Sequence, residues 1–188
     1  YETNEDIDKM TLSAKDLIDS LNETHQVGVV EFHRPDEPPA LLHAFTTYKN
    51  AAKEAIDNFS YGKIYRDFSS CWDAVHKGLK QFPEKPDPNV FKTLAFLSDG
   101  FDNSSFNTPD DVIALAKERD VHIYALGIGS GKEEKVLETI ALETGGTYVH
   151  SENINVLRER FKQIIKDIKG QYKIKYITPK KPDDDRFV

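Results

Sequence analysis

Leu94-Ala95-Phe96-Leu97-Ser98-Asp99-Gly100 decides the reading of this chain. An apolar run of strand character ends abruptly in a carboxylate and then a glycine. In an open α/β sheet, ligands bind in the crevice beyond the carboxyl ends of the strands, where the loops diverge. A carboxylate at that point gains nothing from the core, and Gly100 lets the backbone turn away without a Cβ penalty. Asp99 is therefore expected at the upper edge of a sheet, facing a cation, a basic partner or a reacting group.

Downstream of this strand the pattern is regular. Thr108-Pro109-Asp110-Asp111 predicts a helix start, with Thr108 as cap, Pro109 at the first helical position and two acids at the positive end of the dipole. That helix runs to about Arg119, and Val121 to Ile128 is a second continuous apolar strand. Glu133 to Thr144 reads as a helix closed by Gly145-Gly146, and Thr147-Tyr148-Val149 as a short strand. Leu157, Phe161, Ile164, Ile165 and Ile168 mark a further helix, ended by Gly170. Tyr172, Ile174 and Tyr176 alternate with lysines and predict a half-exposed C-terminal edge strand.

Upstream, Ile7, Met10, Ala14, Leu17, Ile18 and Leu21 repeat at helical spacing. Val27 to Phe32 is a strand, His33 to Pro39 a turn, and Ala40 to Thr46 the return strand of a hairpin. Tyr48, Ala52, Ala55, Ile56 and Phe59 line a second helix, and Cys71, Val75, Leu79 and Phe82 a third. The three prolines between Pro83 and Pro88 mark a connection. Strands alternating with helices imply a doubly wound, Rossmann-like α/β domain, its mostly parallel sheet covered by helices on both faces.

A chain of 188 residues suits one globular domain with a sizeable core. Its net charge of −7 argues against nucleic-acid binding, which needs clustered Lys and Arg, and is compatible with cations or basic protein surfaces. With a single cysteine, Cys71, there is neither an intrachain disulfide nor a cysteine zinc site. No apolar run approaches the roughly 20 residues of a membrane span. The six histidines are scattered without metal-ligand spacing. Gly127, Gly129 and Gly131 are spaced wrongly for a dinucleotide loop. The chain opens on Tyr1 rather than Met and reads as an excised piece.

Leu97-Ser98-Asp99-Gly100-Phe101-Asp102-Asn103 resembles the strand-end signature of the von Willebrand factor type A family. The run Val121 to Gly129, followed by a helix and Thr144-Gly145-Gly146-Thr147-Tyr148, resembles it too, as does Ser69-Ser70-Cys71-Trp72-Asp73-Ala74. The resemblance extends from the first helix to Gly170. It implies such a domain over residues 1–170, with 171–188 holding a C-terminal strand and the start of a following segment. Within the family, a divalent cation sits on the sheet's upper edge, held by an Asp-x-Ser-x-Ser loop after the first strand, a Thr and an Asp. By position, Asp99 matches the Asp and Ser69 stands where the family has Thr. Mg²⁺ or Mn²⁺ is implied, provided that an Asp-x-Ser-x-Ser loop completes the shell. The partner is then a protein whose acidic side chain enters that shell.

Two departures accompany the match. The first helix begins within ten residues of Tyr1, so the family's first strand and its loop are expected upstream or from another segment. Val27–Phe32 and Lys92–Ser98 should accordingly flank a gap. Tyr65-Arg66-Asp67-Phe68 stands where the family tends to have glycines, and Arg66 is placed to compete with a cation or pair with Asp99. Bland roles also fit the same residues: Asp99 as a turn former, Ser69 as a helix cap, Asp102 as a loop or capping residue, Trp72 as core.

The reading is a non-catalytic protein-binding, adhesion-type module using a divalent cation at the sheet's C-terminal edge. The alternatives are a metal-independent scaffold with a degenerate site, or an enzyme using Asp99. Against an enzyme, no Ser or Cys is accompanied by a paired base, and no phosphate-binding loop is present. Tyr172 to Tyr176, Pro179 and the acidic 182–185 run resemble the tail of this domain in some secreted bacterial proteins, which implies an extracytoplasmic location.

Overall fold

A computed structural model describes residues 4–32, 38–58, 69–98, 102–128 and 134–151, together with positions 156, 159, 160, 162–164 and 166. The element order is α1 (Asn4–Ser20), β1 (Val27–Glu31), β2 (Ala40–Thr46), α2 (Lys49–Asp57), α3 (Cys71–Leu79), β3 (Lys92–Ser98), α4 (Pro109–Arg119), β4 (Val121–Ile128), α5 (Glu134–Glu143) and β5 (Tyr148–Ser151). The fold is α/β, with a three-stranded parallel sheet of order β3-β4-β5 and an antiparallel β1-β2 hairpin. The predicted edge strand at 172–176 lies outside the described residues, as does Gly170.

β4 is the centre of the parallel sheet, and its sequence shows why. Strand side chains alternate between faces, so a strand covered on both sides is apolar throughout. Val121, Ile123 and Ala125 face a cluster built with Cys71, Trp72, Val75 and Leu79 of α3, Val112 and Ala116 of α4, and Leu137 and Ile140 of α5. Tyr124 and Leu126 face the opposite layer, with Ile164 and the half-buried Leu17 of α1. Trp72 is core, 5% exposed. Parallel register aligns Ser98, Gly127 and His150 across the three strands, so their carboxyl ends form one edge.

β1 and β3 belong to different sheets among the described residues. Helices on both faces nonetheless tie those sheets together. On α1, Leu17 packs toward β3 and β4, while Ile18 packs with Ala52, Ile56, Val27 and Val29 of the hairpin layer. On α3, a Cβ added at Gly78 would lie 2.9 Å from Leu94 of β3 and 4.0 Å from Val30 of β1. The α3 backbone therefore sits low over the line between the two sheets, and glycine permits that approach.

Caps set the helix boundaries. Thr108 and Asp111 form a reciprocal capping box, with Pro109 in the first turn of α4. The other end departs from the usual glycine stop: Asp120 takes the left-handed conformation at φ 53°. The buried Lys92 ammonium holds it there, through the Asp120 carbonyl at 3.3 Å and its carboxylate at 3.5 Å. α5 closes at Gly145, φ 76°, whose N–H donates to Leu142, while the Gly146 N–H donates to Ala141. A side chain at Gly146 would strike the Ile123 carbonyl, because the chain passes directly against β4 there.

Candidate functional site

The carboxyl edge of the parallel sheet and the N-terminus of α3 meet where β3 ends. Cys71 Sγ of α3 lies 3.6 Å from Ser98 Oγ, both buried. The first N–H groups of a helix lack partners within it and must be served from elsewhere. Ser70 occupies the cap position of α3, yet its hydroxyl makes no capping bond and is buried without a partner among the described residues. The loop after β3 performs that task instead. Asp102 Oδ2 accepts the Trp72 N–H at 3.0 Å, and Ser105 Oγ accepts the Asp73 N–H at 3.0 Å. Asp102 also accepts from the Ser105 hydroxyl and backbone, at 2.6 and 3.1 Å. Both its oxygens are engaged, which makes Asp102 a capping residue supplied in trans.

The same loop is stitched to Ser69. The Ser69 N–H donates to Asn103 Oδ1 at 2.9 Å, and the Ser69 carbonyl accepts from the N–H groups of Asn103 and Ser104, each at 3.1 Å. The Ser69 backbone is thus held in place, while its half-buried hydroxyl makes no hydrogen bond among the described residues. Ser69 does not cap α3. The structure places it at the junction of the α3 N-terminus and the β3 edge. Asp99 and Arg66, the other sequence candidates for this edge, lie outside the described residues.

Asp73 closes the network from the helix side. It accepts from the N–H groups of Phe106 and Asn107 and from the Asn107 side-chain amide, at 2.6 to 3.1 Å. Burial works to raise its carboxyl pKa, but the bonds from Asn107 and Phe106, with the nearby His76, outweigh it and leave it below the ordinary value. Phe106 itself projects 96% exposed from this fixed backbone. Neither role was legible in the sequence, since both depend on a contact spanning more than 30 residues. The Asp at 73 inside the quoted 69–74 motif was the available signal for one partner.

A hard divalent cation takes oxygen ligands and keeps several waters. Of the described residues, the Ser69 hydroxyl is such a donor at the edge. No group of three or more His, Cys, Asp or Glu able to hold a metal occurs among them. Ser69 is thus one oxygen donor of the kind that a hard divalent cation takes, and the described residues do not by themselves form a metal site.

The family model that matches this chain is the von Willebrand factor type A domain, over residues 3–164. Among solved structures, the conserved hypothetical protein BatB from Bacteroides thetaiotaomicron superposes with a TM-score of 0.69 at 17% identity, covering 88% of this chain and 89% of that one. Proximal thread matrix protein 1 from the mussel byssus gives 0.70 at 22% identity, with 87% of this chain and 41% of that one covered. A von Willebrand factor type A protein from Catenulispora acidiphila gives 0.68 at 20%, covering 87% and 38%. These identities speak for the fold alone. No curated protein sequence matches the chain.

Proposed function

We propose, from the premise that this chain belongs to the von Willebrand factor type A domain family, that it is a non-catalytic protein-binding module. It grips an acidic side chain of its partner through a divalent cation held by Ser69 and Asp99. Domains of this family are typically interaction modules, and they often bind divalent metal ions. The observation that carries the reading is the Ser69 hydroxyl. Its backbone is pinned on both sides by the loop after β3, while its own hydroxyl takes no part in capping α3, which supports a role for that oxygen toward an external ligand at the sheet's carboxyl edge.

When bound, the cation supplies a positive charge with an exchangeable position for a partner carboxylate. Ser69 contributes a neutral oxygen and Asp99 a charged one. The remaining ligands belong to an Asp-x-Ser-x-Ser loop at the end of a further strand. A place for that strand is consistent with the separation of β1 from β3, which α1 and α3 bridge on opposite faces. It would be apolar on both faces, since both are covered.

An extracytoplasmic location goes with this reading, supported by the likeness of residues 172–185 to the tails of secreted bacterial proteins. Among the described residues, no helix is long and apolar enough to cross a membrane.

Titration calorimetry with Mg²⁺ and with Mn²⁺ tests the proposal. Both ions are expected to bind weakly, and Asp99→Ala should lose the heat of binding with its melting temperature unchanged. Partner binding that persists in Asp99→Ala, with and without chelator, transfers the assignment to a metal-independent scaffold. Turnover in a screen of phosphate esters overturns the non-catalytic reading.

A further inference from the structure

Asn22-Glu23-Thr24 and Asn103-Ser104-Ser105 both carry the Asn-x-Ser/Thr pattern of an N-glycosylation acceptor. A third, Asn58-Phe59-Ser60, extends outside the described residues. The pattern by itself is common, but the fold separates the two described examples. Asn22, Glu23 and Thr24 are all exposed, in the connection between α1 and β1. The chain turns there, with the His25 N–H donating to the Asn22 carbonyl at 3.2 Å. Within the turn, the Thr24 hydroxyl and N–H both donate to Asn22 Oδ1, at 2.7 and 3.1 Å, and His25 Nδ1 lies against the same oxygen. Among the described residues these contacts are local and all go to Oδ1, so Nδ2 makes no hydrogen bond. Asn103 is the opposite case. Its Oδ1 accepts the Ser69 N–H at 2.9 Å and the Ser104 hydroxyl at 3.0 Å. The Ser105 hydroxyl, which the pattern requires, donates to Asp102 and accepts from the Asp73 N–H. An enzyme engaging that asparagine and hydroxyl together must break contacts that span more than 30 residues.

We propose that Asn22 is an N-glycosylation site, and that the fold withholds Asn103. The donor is a glycosyl diphosphate, carried on a lipid or on a nucleotide. Asn22 Nδ2 attacks the anomeric carbon of the sugar, and an N–C bond forms as the C–O bond to the diphosphate breaks. The diphosphate leaves with the electron pair, and the amide gives up one of its two protons to a base of the transferase. Three features suit Asn22 to this step. Its nitrogen is unengaged, its turn already holds the Thr24 hydroxyl beside the amide, and opening local bonds in an exposed turn disturbs no packing. The glycan also stands clear of the candidate site. Val27 pairs with Thr46, and the Phe45 ring lies 4.9 Å from that of Phe82, just beyond the C-terminal end of α3. Ser69 sits at the other end of that helix, so the turn leading into β1 belongs to the opposite pole. At Asn103 a glycan would instead disturb the bond that fixes the Ser69 backbone.

The folded full chain, produced in a host without N-glycosylation, is offered to two transferases that read this pattern. One is a membrane-bound oligosaccharyltransferase with a lipid-linked donor, the other a soluble enzyme with UDP-glucose. Synthetic peptides spanning residues 18–28 and 100–110 are the unfolded references, and both should be glycosylated. Mass spectrometry of tryptic peptides reads Asn22 and Asn103 separately. In the folded protein, Asn22 is expected to be modified about tenfold more than Asn103, the scale of one hydrogen bond that must first be broken. Modification with one donor alone supports the site and identifies the carrier. Thr24→Ser should retain the modification, and Thr24→Val should lose it with an unchanged melting temperature. No modification of Asn22 in the folded protein with either donor overturns the proposal, as does modification that survives Thr24→Val. Equal modification of Asn103 in the folded protein, or failure of the 100–110 peptide, overturns the part assigned to the fold.

Discussion

The carboxylate of Asp73, on the first turn of α3, accepts the backbone N–H of Phe106 through both oxygens, each at 3.1 Å. With the two bonds from Asn107, this one side chain organises the loop that carries the chain from β3 to α4. Replacing Asp73 with Ala leaves two backbone donors and an amide to seek water. A loss of about 2 kcal/mol is expected, the scale of hydrogen bonds to a charged acceptor, read from urea denaturation. Amide exchange at Phe106 and Asn107 should accelerate more than exchange in β4. Unchanged exchange at those two amides would show that the loop is held by other contacts.

The same carboxylate predicts a pH dependence. Burial pushes the Asp73 pKa up, but the hydrogen bonds from Asn107 and Phe106 dominate and hold it below the ordinary value. A carboxyl depressed in the folded state contributes stability that is complete above its unfolded pKa, about 3.9, and is lost as pH falls through the folded value. The Phe106 and Asn107 amide resonances should therefore hold steady from neutral pH to about 4, then move at lower pH. In Asp73→Asn that movement should vanish. A transition of these two amides near neutrality would contradict the assignment.

Tyr148 offers a substitution expected to stabilise. Its hydroxyl is buried with no hydrogen-bond partner among the described residues. Burial, then Glu134 and Glu138, push its pKa up to about 12. An unpartnered buried hydroxyl is a net cost, so Tyr148→Phe is expected to raise stability by about 1 kcal/mol. The ring's apolar contacts with the main core remain. Ultraviolet titration should show the phenol titrating at about 12 missing from the variant. A destabilised Tyr148→Phe would mean that the hydroxyl has a partner in solution.

Gly145 and Gly146 should respond differently to alanine. At Gly145 the obstacle is a left-handed φ of 76°, with the His122 ring 2.9 Å from an added Cβ. The first costs about 1 kcal/mol, and the ring can shift. At Gly146 the added atom meets the backbone carbonyl of Ile123 in the central strand, which has no room to give. Gly146→Ala is expected to cost about 3 kcal/mol or more, clearly exceeding Gly145→Ala in thermal melts. The reverse order would contradict this packing of the β5 entry against β4.

The features legible in the chain are those whose causes are local. Thr108 and Asp111 lie three residues apart and make their capping box without outside help, so the start of α4 could be read directly. The unbroken apolar run of β4 states that both faces are covered, and the glycine pair after α5 states where that helix stops. The apolar stretch ending at Ser98 places the carboxyl edge of the sheet, and with it the candidate site. Tertiary structure alone decided the rest. Ser69 was the cap that the sequence offered for α3, and Asp102 was read as a loop or capping residue; only the fold shows that Asp102 and Ser105, some 30 residues away, serve the first N–H groups of α3. A helix N-terminus accepts any well-placed oxygen, and sequence neighbours lose when folding delivers a better-placed one. The exposure of Phe106 has the same origin: an aromatic is buried or presented according to where its backbone is tethered, and Asp73 sets that tether. The separation of β1 from β3 among the described residues agrees with the gap expected between them, whereas the way α1 and α3 bridge the two sheets is tertiary, because it depends on which side chains the helices on either face bring together.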